Sequence, residues 1–226
     1  DPNAEFSEML HYSDKLPCQF IIIDRQSQQT NIIPTSPFIC FHQANAYEKR
    51  QELIIDLCCY RSKHGYSQLS LDCMMDMQLD DPTYLTRFVI NLEKNTIQEE
   101  NISEINCEFP RINTYQNAGK PYNYAYLARL GEKDGKSDWL NGLLKFDLSN
   151  KSVLSWQETG CYCSEPIFVA KPNGIAEDEG VVLSIIFDAK VRQSFLLVLD
   201  ASNLQMLAKA FLPTFMPFGL HGDWFE

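Results

Sequence analysis

Two histidines and two glutamates in this chain sit in settings that suit chemistry better than solvation. His42 lies in Phe38-Ile39-Cys40-Phe41-His42-Gln43-Ala44-Asn45-Ala46-Tyr47-Glu48, and His221 in Met216-Pro217-Phe218-Gly219-Leu220-His221-Gly222-Asp223-Trp224-Phe225. Glycines beside His221 let the backbone pass close to whatever the ring binds. Glu108 precedes Phe109-Pro110, and Glu165 precedes Pro166-Ile167-Phe168-Val169. A carboxylate among apolar residues is costly unless it is paired. A metal-bound histidine is a suitable partner, because its free ring N–H donates to the carboxylate and fixes the tautomer. Two histidines and two embedded glutamates are therefore the inventory for half of an all-histidine metal site. Each residue also has a plainer reading: a histidine packed in the core, and a glutamate that caps a strand end or pairs with a surface Lys or Arg.

The elements that must position these residues are short. Apolar runs of about five to nine residues, rich in β-branched and aromatic side chains, alternate with turn residues. They predict strands over 20–24, 53–60, 87–92, 122–130, 143–148, 152–158, 167–169, 181–187, 195–199 and 205–212. Ser149-Asn150-Lys151 and Asp200-Ala201-Ser202-Asn203 read as hairpin turns. The polar stretches 93–106, 131–137 and 173–179 read as solvated loops, and 71–81 as a short helix or a loop. No long segment keeps a 3.6-residue period, and no strict internal repeat is present. Many short strands at near-regular spacing mean a sandwich, a barrel or a propeller.

The chain has 226 residues, 45% hydrophobic and 12% aromatic, enough for a sizeable core. Its net charge of -11 argues against nucleic acid, which needs clustered Lys and Arg. The spacing of the eight cysteines does not suggest a disulfide framework, and Cys161-x-Cys163 is too close for an ordinary zinc pair. Reduced thiols in an intracellular protein are the expectation. No apolar run reaches the roughly 20 residues of a membrane span. The chain opens on Asp1 without a methionine and reads as a piece of a longer protein.

The motifs resemble the carotenoid cleavage oxygenases, the family that also holds the retinoid isomerohydrolase of the visual cycle. The resemblance rests first on Phe41-His42-Gln43-Ala44-Asn45-Ala46-Tyr47-Glu48, followed by Ile55-Asp56-Leu57-Cys58. Glu108-Phe109-Pro110-Arg111-Ile112-Asn113 with Gly119-Lys120-Pro121-Tyr122 extends it, then Ser164-Glu165-Pro166-Ile167-Phe168-Val169 with Glu177-Asp178-Glu179-Gly180. Phe195 to Ala201 and Pro217-Phe218-Gly219-Leu220-His221-Gly222 complete it, in family order, from about Pro34 to the end.

The resemblance implies an all-β, seven-bladed β-propeller, of which residues 1–226 are the C-terminal part of a single domain. It implies a ferrous iron (Fe2+) on the propeller axis, held by four histidines and supported by three glutamates. His42 would be the third ligand and His221 the fourth. Glu108 would support His42, and Glu165 would support His221. The first two histidine ligands lie upstream of this chain. His11 and His64 match no family motif and read as surface or loop residues. The piece alone is expected to carry half an iron site and to be inactive.

The implied reaction inserts dioxygen across one conjugated double bond of a carotenoid, giving apocarotenoid or retinal products. Phe41, Phe109, Phe168 and Phe218 are candidates for the wall of an apolar tunnel, with ordinary core packing the competing reading for each. Two rivals stay open: a retinoid isomerohydrolase of the same family acting on retinyl esters, and a non-catalytic β-propeller interaction module. A cytoplasmic location is expected, with peripheral membrane contact through parts outside this chain allowed. The spacing from Leu92 to Glu108 is shorter than the family's, and Gly222-Asp223-Trp224 replaces an apolar run.

Overall fold

The computed structural model describes residues 12–62, 81–133, 136–216, 219 and 221–225. His11, His64, Phe218 and nearly all of the 71–81 segment lie outside the described residues. The described chain is strands joined by turns, with one short helix.

The strands form successive antiparallel sheets in chain order. A hairpin of β1 (Cys18–Ile23) and β2 (Thr30–Thr35) comes first. Next is a four-stranded sheet of β3 (Ile39–Lys49), β4 (Glu52–Tyr60), β5 (Thr83–Asn91) and β6 (Thr96–Asn101). A second four-stranded sheet holds β7 (Cys107–Arg111), β8 (Tyr124–Lys133), β9 (Lys136–Asp147) and β10 (Ser152–Trp156). The helix α1 (Thr114–Asn117) bridges β7 and β8. A five-stranded sheet runs β11 (Cys161–Cys163), β13 (Gly180–Asp188), β14 (Gln193–Asp200) and β15 (Met206–Phe211), with β12 (Ile167–Ala170) also on β13. Meanders stacked in series are the blades of a propeller.

Period-two alternation explains the stacking. On β8, Ala125 and Leu127 face the preceding sheet, while Tyr126 and Ala128 face the following one. On β4, Ile54 and Cys58 pack against the second sheet, and Leu57 and Cys59 against the other side, where Phe20 and Phe38 lie. A sheet buried on both faces needs apolar residues at successive positions, so its strands read as unbroken apolar runs. The Tyr126 hydroxyl donates to the Ala201 carbonyl at 2.9 Å, tying the second sheet to the third.

Polar pins hold the sheets in place. Asp56 is fully buried. It takes two hydrogen bonds from Arg87, both at 2.8 Å, and one from the Tyr122 hydroxyl at 2.6 Å. Asn45 accepts from the Gly119 amide at 3.1 Å and donates to the Asn117 and Lys120 carbonyls at 3.0 Å, fixing the turn after α1. Gly119 has a φ of +70, which suits glycine best. The 173–179 loop is docked through Glu177, whose carboxylate accepts from the Asn123 and Tyr124 amides at 2.7 and 2.8 Å.

Several loop expectations are corrected. The polar 93–106 stretch holds β6, an exposed strand at the sheet's outer edge, where polar residues are tolerated. The arms of the β8–β9 hairpin run to Lys133 and from Lys136, so most of 131–137 is strand. The two expected turns at 149–151 and 200–203 are present.

Candidate metal centre

His42 sits on β3, the first strand of its sheet, where the register with β4 slips between Cys40 and Gln43. Such a bulge re-aims a side chain out of the regular alternation. Glu108 sits on β7, which lies beside β3. Its register with β8 slips between Glu108 and Arg111. Inside that slip Phe109 has a φ of +54, a left-handed conformation rare for a bulky residue. Glu165 lies in the loop between β11 and β12, and His221 in the irregular segment after β15.

The four side chains meet. His42 Nδ1 lies 2.7 Å from Glu108 Oε2, which also accepts from the Phe109 amide at 2.7 Å. His221 Nδ1 lies 3.3 Å from Glu165 Oε2, which accepts from the Gly222 amide at 3.1 Å. A carboxylate opposite each Nδ1 favours the tautomer that protonates Nδ1 and leaves the Nε2 lone pair free. The two Nε2 atoms face each other at 3.3 Å. Two lone pairs at that distance repel unless a cation or a proton lies between them. Two nitrogens sharing one metal at bonds of about 2.0–2.1 Å, at right angles to tetrahedral, are about 2.8–3.4 Å apart. Paired neutral imidazoles with carboxylate backing are a donor set for a first-row divalent metal. Among the described residues, no three His, Cys, Asp or Glu side chains are placed to hold one metal ion together.

Phe109 lies against both rings, 4.6 Å from the His42 centroid and 5.6 Å from that of His221. Phe41 meets Tyr60 edge-on at 5.5 Å. Phe168 stacks on Tyr126 at 5.3 Å in the core between the second and third sheets, so core packing accounts for it. Burial, then the Glu108 charge, holds the Tyr60 phenol well above its ordinary pKa. The same causes push the Cys40 thiol up to about 12. The seven described cysteines are free thiols.

Two participants escaped the sequence reading. Arg111 donates from Nε to Glu165 Oε1 at 2.8 Å and from Nη2 to the Gly222 carbonyl at 2.8 Å. Glu165 thus serves a histidine and an arginine together. The only sequence signal for Arg111 is a lone cation close after an embedded glutamate. The left-handed backbone at Phe109 has no signal in residue type.

Residues 2–226 match the RPE65 family, retinal pigment epithelial membrane protein. The chain is 33% identical to an apocarotenoid-15,15'-oxygenase of Synechocystis sp., over 96% of this chain and 44% of that protein. It is 30% identical to a mitochondrial carotenoid-cleaving dioxygenase of Mustela putorius furo, over 97% of this chain and 48% of the relative. It is 30% identical to a beta,beta-carotene 15,15'-dioxygenase of Rattus norvegicus, over 89% and 41%. The fold superposes on cobalt-substituted Synechocystis ACO with a TM-score of 0.84 at 29% identity, over 96% of this chain and 45% of that one. An ACO/RPE65 chimera gives 0.83 at 28% identity, over 96% and 45%. The chain spans about half the length of the curated relatives it matches. Its stacked meanders are those of the same propeller fold, and the chain belongs to the RPE65 family of carotenoid-cleaving oxygenases.

Proposed function

We propose that this chain is the C-terminal part of an iron(II)-dependent carotenoid oxygenase that cleaves a conjugated double bond. His42 and His221 are two of its four iron ligands. The observation that carries the reading is the pair of Nε2 atoms at 3.3 Å, each on a ring whose Nδ1 faces a carboxylate. The names of the relatives, all oxygenases or dioxygenases of carotenoids or apocarotenoids, support the substrate class.

The chemistry supplied with iron in place is the activation of dioxygen toward a conjugated C=C bond, giving two carbonyl products. The chain's own residues prepare for it. Glu108 accepts the His42 Nδ1–H and so keeps the Nε2 lone pair turned inward. Glu165 does the same for His221. Phe109 lays an apolar face beside both rings, a surface that suits a polyene and leaves water no polar partner.

The test is made on the full-length protein. Iron is measured by metal analysis, and products are followed from β-carotene and from an all-trans retinyl ester. Stoichiometric iron with aldehyde or ketone products from the carotenoid is expected. Products from the ester alone would move the assignment to an isomerohydrolase, and a protein without iron or turnover would leave an interaction module.

A further inference from the structure

Arg111 closes a ring of bonds around Gly222. It is the last residue of β7, just beyond the Phe109 distortion. Its guanidinium spans from Glu165 Oε1 to the Gly222 carbonyl, 2.8 Å to each. The Gly222 amide returns to Glu165 Oε2 at 3.1 Å. Both backbone polar groups of Gly222 and both oxygens of Glu165 are thereby engaged.

This matters because the two histidines have unequal supports. His42 rides on a strand paired with β4. The described residues around His221 form no strand or helix. The bonds of this ring tie the next residue, Gly222, to the body of the protein. The carboxylates differ too. Glu108 is buried and meets His42 at 2.7 Å. Glu165 meets His221 at 3.3 Å and shares its charge with a guanidinium at 2.8 Å.

We propose that Arg111 is a positioning residue of the metal centre: its planar fork ties Gly222 to Glu165 and so aims the His221 Nε2 at the site. A fork can grip a carboxylate and a carbonyl at once, which the point charge of lysine does poorly. The proposal rests on the reading of His42 and His221 as ligands.

The experiment compares the full-length protein with its R111A, R111K and H221A variants. Amide hydrogen exchange at Gly222 in metal-free protein reads the lock. Titration with Co2+, followed by its visible absorption, reads the aim of the ring. R111A should speed Gly222 exchange about tenfold or more. It should also weaken Co2+ binding roughly 10–100-fold with an altered absorption band. R111K should recover part of both, which a loss of general stability would not predict, and it stands in if R111A does not fold. Unchanged Gly222 exchange in R111A and R111K would overturn the proposal. So would faster exchange with Co2+ affinity and absorption as in the wild type, while H221A lowers that affinity. If H221A binds Co2+ as the wild type does, the ligand reading itself has failed and the metal-positioning role falls with it; Gly222 exchange then shows only whether the lock exists.

Discussion

His42 and His221 meet Nε2 to Nε2 at 3.3 Å across 179 residues of sequence. Nothing local brings them together. One stands at a bulge in a strand, the other in an irregular stretch, and the closeness of the two nitrogens calls for a cation or a proton between them.

Removing either ring should therefore empty the centre. His42→Ala and His221→Ala in the full-length protein should each abolish turnover and lower bound iron to a small fraction of the wild-type content. Metal analysis of the purified variants checks this. A variant that keeps both iron and turnover would remove that residue from the ligand set.

In the proposed centre the carboxylates act through the imidazoles. Glu108→Gln and Glu165→Gln keep an acceptor of the same shape but lose the charge, so iron affinity or activity should fall by roughly 10–100-fold with the fold intact. Competition with a chelator measures it. Wild-type affinity in both variants would make the two glutamates structural.

Phe109 offers a backbone test. At a φ of +54 an L side chain is strained by roughly 1–2 kcal/mol, which glycine escapes. Both Phe109→Ala and Phe109→Gly lose the ring. The glycine variant should nevertheless be the more stable of the two by about 1 kcal/mol, reversing the usual order. Denaturant titration of the pair decides it, and alanine coming out ahead would mean that the conformation is unstrained.

Asp56 carries a different load. Asp56→Ala leaves Arg87 without its buried partner and should cost about 3–5 kcal/mol. Tyr122→Phe removes one hydrogen bond to the same carboxylate and should cost about 1.5–3 kcal/mol. Equal melting temperatures for wild type and Asp56→Ala would show the network to be dispensable.

Alkaline pH should loosen the fold. Burial raises the Cys40 and Cys59 thiols from 9.0 to about 12 and the Cys161 thiol to about 11. The unfolded chain ionises these thiols first, so their contribution is intact below pH 9 and is lost progressively as pH rises toward 12. Iodoacetamide should label them slowly at pH 8 and rapidly once the protein is denatured. Fast labelling of native protein at pH 8 would contradict the burial.

Much of this was legible in residue type. Strands buried on both faces announced themselves as apolar runs. Five strands went unpredicted, for physical reasons. Thr30–Thr35 is largely exposed and carries Pro34, and Ile39–Lys49 mixes polar with apolar residues around a bulge. Thr96–Asn101 is a solvated edge, Cys161–Cys163 spans only three residues, and Cys107–Arg111 is interrupted by Pro110 and bent by a bulge. A further regularity was readable and went unread. Asp24, Asn91, Asp147, Asp188 and Asp200 each begin a turn, and the residue four places on has a positive φ: Gln28, Asn95, Lys151, Arg192 and Leu204. In each, the first side chain accepts from a backbone amide within the turn, as Asp147 does from Ser149 at 2.9 Å and Asp200 from Ser202 at 2.8 Å. At the site, the acids and imidazoles were visible as types. The Arg111 fork and the Phe109 backbone depend on where distant segments come to rest, which no local pattern encodes.

That turn device bears on the order in which the molecule assembles. Each hairpin it closes joins neighbouring stretches of chain, so its loop-closure entropy is small and its formation is fast. The histidine pair is the opposite extreme, a contact that only docked sheets can make. Substitutions in the turns should slow refolding. Substitutions at His42 or His221 should leave refolding rates alone and, with metal bound, show their effect in how quickly the native state comes apart.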